Sequence, residues 1–107
     1  MKETFLVAEM TAAEYKERVA AAPAVLLPLG SIEVLGAHGP LGADYLLAQH
    51  VAVLVAERTG CLVAPAIPYG DTLELAAWPG TVCVPPAVLE GYYYAVAHSF
   101  ITTGAAK

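Results

Sequence analysis

The stretch AVLLPLGSIEVLGAHGPLGAD, residues 24–44, decides the reading of the fold. Its first six residues, AVLLPL, form a continuous apolar run that stops at Gly30. A short apolar run of this kind fits a strand buried on both faces, as parallel sheets contain. Residues 31–43 follow with Gly36, Gly39, Pro40 and Gly42, and read as a loop. Asp44 then opens a helix expected to run to about Thr59 and to close at Gly60. That helix is apolar almost all round, which predicts burial on more than one side.

Upstream, Thr11-Ala12-Ala13-Glu14 reads as a capping box, and the helix it starts ends near Ala22, before Pro23. Downstream, CLVAPAI at residues 61–67 reads as a second buried strand, followed by the turn signal Pro68-Tyr69-Gly70-Asp71. Residues 72–80 are irregular, and residues 81–84 are expected as a third short strand. Pro85-Pro86 suits a helix start, with the helix expected over residues 87–103 and Gly104 as its C-cap. There is no internal repeat and no low-complexity linker. Helices alternating with strands imply an α/β protein, layered α/β/α around a mostly parallel sheet. The pattern calls for another strand after the last helix. Residues 1–107 therefore read as one partial, apparently truncated α/β domain with an open apolar sheet edge.

Composition narrows the classes. The 107 residues carry a formal charge of −5, with 58% hydrophobic and 14% charged residues and a mean hydropathy of +0.61. Disorder is excluded by so much apolar residue and so little charge. Ten acids against five Lys and Arg argue against nucleic acid as a partner. The best candidate for a membrane span, residues 45–56, is too short and contains Gln49 and His50. Met1-Lys2-Glu3-Thr4 begins no signal-peptide pattern, so a cytoplasmic protein is expected. Cys61 and Cys83 lack CxxC spacing and read as two buried free thiols. An apolar share above the usual ~45–50% on so short a chain predicts a surface that meets a partner or further polypeptide.

Glu33, His38 and Asp44 fall at the carboxyl end of the first strand, where open α/β sheets bind ligands. Two carboxylates and an imidazole suit Zn or Mn. The spacing matches no short metal motif, and each residue has a plainer reading. Asp44 can cap the helix, Glu33 can be a solvated loop acid, and His38 an exposed loop histidine. His50 and His98 lie in helices and read as structural. Tyr92-Tyr93-Tyr94 spreads over three helix faces and reads as packing surface. Trp78, in the irregular segment, is a candidate pocket wall or a packing residue.

The arrangement resembles the creatininase family of amidohydrolases. The family's first signature is close to GSxEQHGPHLPLGTD, and residues 30–44 read GSIEVLGAHGPLGAD. A second stretch, roughly PxxPYGxSxEHxxFPGT, appears at residues 65–81 as PAIPYGDTLELAAWPGT. The resemblance covers most of the chain but only the first half of the family domain. It implies that a further strand with an NGHGGN signature would begin just after Lys107.

The resemblance also implies a two-metal hydrolase. Its metals are held by a Glu, a His and a bridging Asp from the first signature, and by a His and a Glu from the second half. By position the Glu is Glu33 and the Asp is Asp44, while the His falls on Leu35. The second-stretch His falls on Leu75, the Gln on Val34, and His38 matches a further histidine. Two carboxylates without the imidazoles leave mostly water around a metal pair, so metal binding by the chain alone is expected to be weak.

Two functions follow as expectations. One is a metal-dependent amidohydrolase of small cyclic or linear amides, incomplete alone, with Glu33 and Asp44 as metal ligands and His38 as an acid–base group. The other is a non-catalytic subunit that uses its apolar surface for association. Either predicts a homo-oligomer or a complex with a chain supplying the missing half.

Overall fold

A computed structural model describes residues 3–107, so Met1 and Lys2 of the N-terminal reading lie outside the described residues. Five elements follow in chain order: α1 (Ala12–Ala21), β1 (Val25–Leu26), α2 (Ala43–Thr59), β2 (Leu62–Val63) and α3 (Pro86–Thr102). Short 3-10 turns at Val7–Glu9 and Leu73–Leu75 complete the order.

The capping box forms as the sequence requires. The Thr11 hydroxyl accepts from the Glu14 amide, and the Glu14 carboxylate accepts from the Thr11 amide, each at 3.2 Å. α2 ends where Gly60 adopts a left-handed backbone with φ of +79°, and its amide closes the last turn on the Ala56 carbonyl. Its start departs from expectation. Gly42 is the N-cap, without a side-chain cap bond, and Asp44 sits inside the first turn.

β1 and β2 pair in parallel, Val25 opposite Leu62 and Leu26 opposite Val63. Regular pairing is shorter than the apolar runs because Pro28 and Pro65 lack the N–H that a ladder needs. An isolated bridge from Leu29 to Ile67 continues the line, and Leu6 bridges the far side of Val63. The expected third strand at residues 81–84 does not join this sheet. It makes a single bridge, Gly70 to Cys83, and its Val82 amide donates to the Ile32 carbonyl at 2.9 Å.

Alternation places successive side chains on opposite faces of the sheet. Leu62 packs with Val19 and Ala105, bringing in Val25, Tyr15 and Phe100, so α1 and α3 cover one face. Val63 packs with Ala52 and Ala56 of α2 on the other face, with Phe5 and Leu26 beside them. This is an α/β/α arrangement on a two-stranded parallel sheet. α2 buries one stripe only, and Leu46, Leu47, Val51, Leu54 and Val55 stay exposed, so burial on several sides is not met within this chain. Cys61 is buried and Cys83 half-buried, and both are free. No helix among the described residues is long and apolar enough to cross a membrane.

Candidate functional site

The site is built where the chain leaves β1. The Gly30 amide donates to the Ile67 carbonyl at 2.9 Å, which fixes the loop start beside the end of the second strand line. A Cβ on Gly30 would lie 2.3 Å from the Tyr45 Cα, so only glycine lets this loop cross the first turn of α2. The crossing sets Ser31 beside Asp44, and the Ser31 hydroxyl donates to the Asp44 carboxylate at 3.0 Å. Asp44, in the first turn of α2, lies at the positive end of the helix dipole.

Two clamps hold the rest of the loop. The Glu33 amide donates to the Leu41 carbonyl at 2.9 Å, and the Val34 amide to the Thr81 hydroxyl at 3.1 Å. Glu33 is thereby turned toward Asp44. The hydrogen bond it shares with Asp44 pushes the Glu33 carboxyl above the ordinary glutamate range. Partial burial and the charge of Asp44 push the same way, and the Ser31 hydroxyl opposes them.

Beside Glu33 opens a cavity of about 370 Å³, walled by Asp71, Thr72, Leu73, Glu74 and Leu75. Thr72 is buried and its hydroxyl donates to the Val82 carbonyl at 2.8 Å, which pins this wall to the residues after Gly80. Three carboxylates line the cavity and no Lys, Arg or His does. A larger hollow of about 450 Å³ lies away from this site, against α1. Its Arg18 is already committed, to the Glu3 carboxylate at 3.2 Å and to the Phe5 ring at 5.4 Å.

The structure thus joins Glu33 and Asp44, and sets Leu75 on the wall that Glu33 shares. It does not bring in His38, which is exposed on the loop without a side-chain hydrogen bond among the described residues. Trp78 is 57% exposed and does not line this cavity. His50 is exposed, and His98 stacks on Tyr94 with ring centroids 5.7 Å apart. Asp71 and Glu74 were missed as lining acids. The signal was present, since both lie within residues 65–81, on either side of Thr72 and next to Leu75.

The sequence profile of the creatininase family, described as creatinine amidohydrolase, matches residues 8–107. The chain belongs to the creatininase family. The creatinine amidohydrolase of Pseudomonas putida is 39% identical over 97 residues, 85% of this chain and 37% of that protein. The 3-dehydro-scyllo-inosose hydrolase of Thermotoga maritima is 35% identical over 99 residues, 92% of this chain and 32% of that protein. The mycofactocin precursor peptide peptidase of Mycolicibacterium smegmatis is 42% identical over 74 residues, 64% of this chain and 30% of that protein. Among solved structures, a manganese creatininase superposes with a TM-score of 0.89 at 34% identity, covering 96% of this chain and 42% of that one. A mutant creatininase of the Zn-Zn type gives the same score and identity, covering 97% and 43%. This creatininase-family chain therefore spans about a third of the length of these relatives and about two fifths of the solved chains.

Metals in the neighbouring structures pose a fit test for this chain. No three His, Cys, Asp or Glu side chains among the described residues converge as metal ligands. Glu33 and Asp44 supply carboxylate oxygens, and Leu75 supplies none to the shared cavity. The residues of this chain alone do not fit a two-metal centre.

Proposed function

We propose that the chain is one part of a creatininase-family hydrolase that cleaves a C–N bond in a small cyclic or linear amide. Membership in a family of hydrolases supports the reaction class. The meeting of Glu33 with Asp44, beside an acidic cavity that Glu33 lines together with Asp71 and Glu74, is the observation that supports the assignment to this site. In this reading Glu33 and Asp44 are the metal-side carboxylates, for Zn or Mn, and polypeptide outside this chain supplies the other donors. Ser31 and the first turn of α2 fix the orientation of Asp44. His38, on the same loop as Glu33, is the candidate acid–base group.

The test is reconstitution. The 107-residue chain is mixed with the polypeptide that follows the matched stretch in the Pseudomonas putida protein, and creatinine hydrolysis is followed with Mn²⁺ or Zn²⁺ added. Glu33→Gln and Asp44→Asn should each lower the rate by more than about 100-fold, since even outer-shell changes at such sites cost ~10–100-fold. The isolated chain should show no tight binding of either ion by calorimetry. Sub-micromolar binding at two sites, or hydrolysis indifferent to both substitutions, would refute the assignment.

Leu35 and Leu75, at positions where the family signatures carry His, favour a second reading. There the chain is a non-catalytic association subunit. Installing Leu75→His and Leu35→His together should raise Zn²⁺ affinity if the site geometry is retained. No change in affinity favours the association subunit.

A further inference from the structure

The outer edge of β2 is closed by residues 5 and 6. The Val63 amide donates to the Phe5 carbonyl at 2.9 Å, and Leu6 bridges Val63 in parallel. The amides on either side of Val63 turn the other way. Leu62 donates to the Ala24 carbonyl at 3.1 Å, and Ala64 to the Leu26 carbonyl at 2.8 Å. One amide of this line thus depends on residues 5 and 6, and its two neighbours depend on the β1 side.

Residues 3–9 cover this edge without becoming core. Phe5 and Leu6 lie against Ala52, Ala56 and Val63. None of residues 3–9 is itself buried, whereas Ala56 and Val63 beneath them are 0% and 1% exposed. The segment holds its own shape. The Thr4 hydroxyl accepts from the Leu6 amide at 3.1 Å and donates to the Glu9 carboxylate, and the Glu9 amide donates to the Leu6 carbonyl at 3.0 Å. The capping box at Thr11 fixes the start of α1 just after it.

One side chain of α1 reaches back to the segment. The Arg18 guanidinium donates to the Thr4 carbonyl, pairs through Nε with the Glu3 carboxylate at 3.2 Å, and lies over the Phe5 ring, 5.4 Å from its centre. It does so beside the hollow of about 450 Å³ that Glu14, Glu17, Gly60 and Leu62 also line, so side-chain packing under residues 3–5 is thin and Arg18 spans the gap. The Arg18 side chain is only 17% exposed, and a guanidinium drawn this far out of water is costly unless it keeps its partners. The dependence is therefore mutual: Arg18 holds the segment down, and the segment supplies Arg18 with its acceptors.

We propose that residues 3–9 form a strap that opens and closes as a unit over the outer edge of β2, with Arg18 as its latch. Closed, the strap denies the Val63 amide to any other strand. Open, it uncovers that amide and the apolar surface of Ala52 and Ala56, and an uncovered edge of this kind is a template for pairing with another chain. The proposal uses neither Glu33 nor Asp44 and stands apart from the catalytic reading.

Amide hydrogen exchange of the 107-residue chain, read by NMR, tests it. Opening of the strap frees Val63 alone, whereas unfolding frees Leu62, Val63 and Ala64 together. In the unsubstituted protein Val63 should exchange at least about tenfold faster than both neighbours, each rate taken relative to its intrinsic value. Arg18→Met keeps an apolar stem but removes the donors and the charge, and should speed Val63 by about a further tenfold with Leu62 and Ala64 unchanged. Glu3→Lys is the second variant, at a side chain 73% exposed where the fold is not at risk. It sets a cation beside Arg18 and should speed Val63 by about threefold. Equal protection of the three amides in the unsubstituted protein overturns the proposal. So does Val63 exchange that ignores both variants, or a joint rise of all three amides in both.

Discussion

Glu33 and Asp44 are two acids pressed together with only the Ser31 hydroxyl to soften the contact. A carboxyl raised above its unfolded value favours the protonated form in the fold. Its contribution is therefore present at pH below the ordinary glutamate value of about 4.3 and is lost as pH rises through the raised folded value. Glu33→Gln keeps the shape, removes the charge and lets the side-chain amide donate to Asp44. The metal-free variant should melt above the parent at pH 7, with the gap closing toward pH 4. The pair is partly solvated, so the gain should stay below about 1 kcal/mol. Thermal melts of both proteins across that pH range give the answer, and a gap that widens on acidification contradicts the pairing. Gly30→Ala attacks the same site from the backbone. Its new methyl would press on the Tyr45 Cα and should cost ~1–3 kcal/mol by urea unfolding, with the Ser31–Asp44 bond lost.

At the scale of elements, what was legible depended on whether the signal was local. The capping box of α1, the glycine that ends α2 and the proline start of α3 are each written within a few residues, and all three helices formed within a residue or two of expectation. Thr11→Ala removes one side of that box and should cost about 1 kcal/mol in a denaturation experiment. Strands were legible in place but not in length, since their regular pairing depends on what the partner offers and on Pro28 and Pro65. Residues 81–84 show the limit. They were expected as a third short strand, yet the Thr81 hydroxyl, the Val82 amide and Cys83 are spent clamping the loops that carry Glu33 and Thr72. The site followed the same rule. The placement of Glu33 beside Asp44 follows from one short signature, whereas the exposure of His38 and Trp78 depended on loop paths that no short pattern encodes.

The whole molecule is more open than its length warrants. Its radius of gyration is 15.4 Å, against about 13 Å for a compact domain of this size. It exposes 6990 Å², against roughly 5,700 Å² expected from its 11.1 kDa. Large apolar side chains stand exposed on α2, on α3 and on the loops between them. Leu46 and Leu47 on α2 are 55% and 62% exposed, beside Val51, Leu54 and Val55. Apolar patches of this kind are normally covered. The isolated chain should therefore associate with rising concentration, and light scattering should report a mass that grows above 11.1 kDa. Leu47→Lys should reverse this. It places a charge where the side chain is already in water, so the fold should lose less than about 0.5 kcal/mol. The variant should thus elute as a monomer with the parent's melting temperature. A parent that is monomeric at every concentration would mean that the α2 face tolerates water. A variant that associates as before would move the interface to α3, where Tyr92, Tyr94 and Ile101 form the other exposed apolar surface.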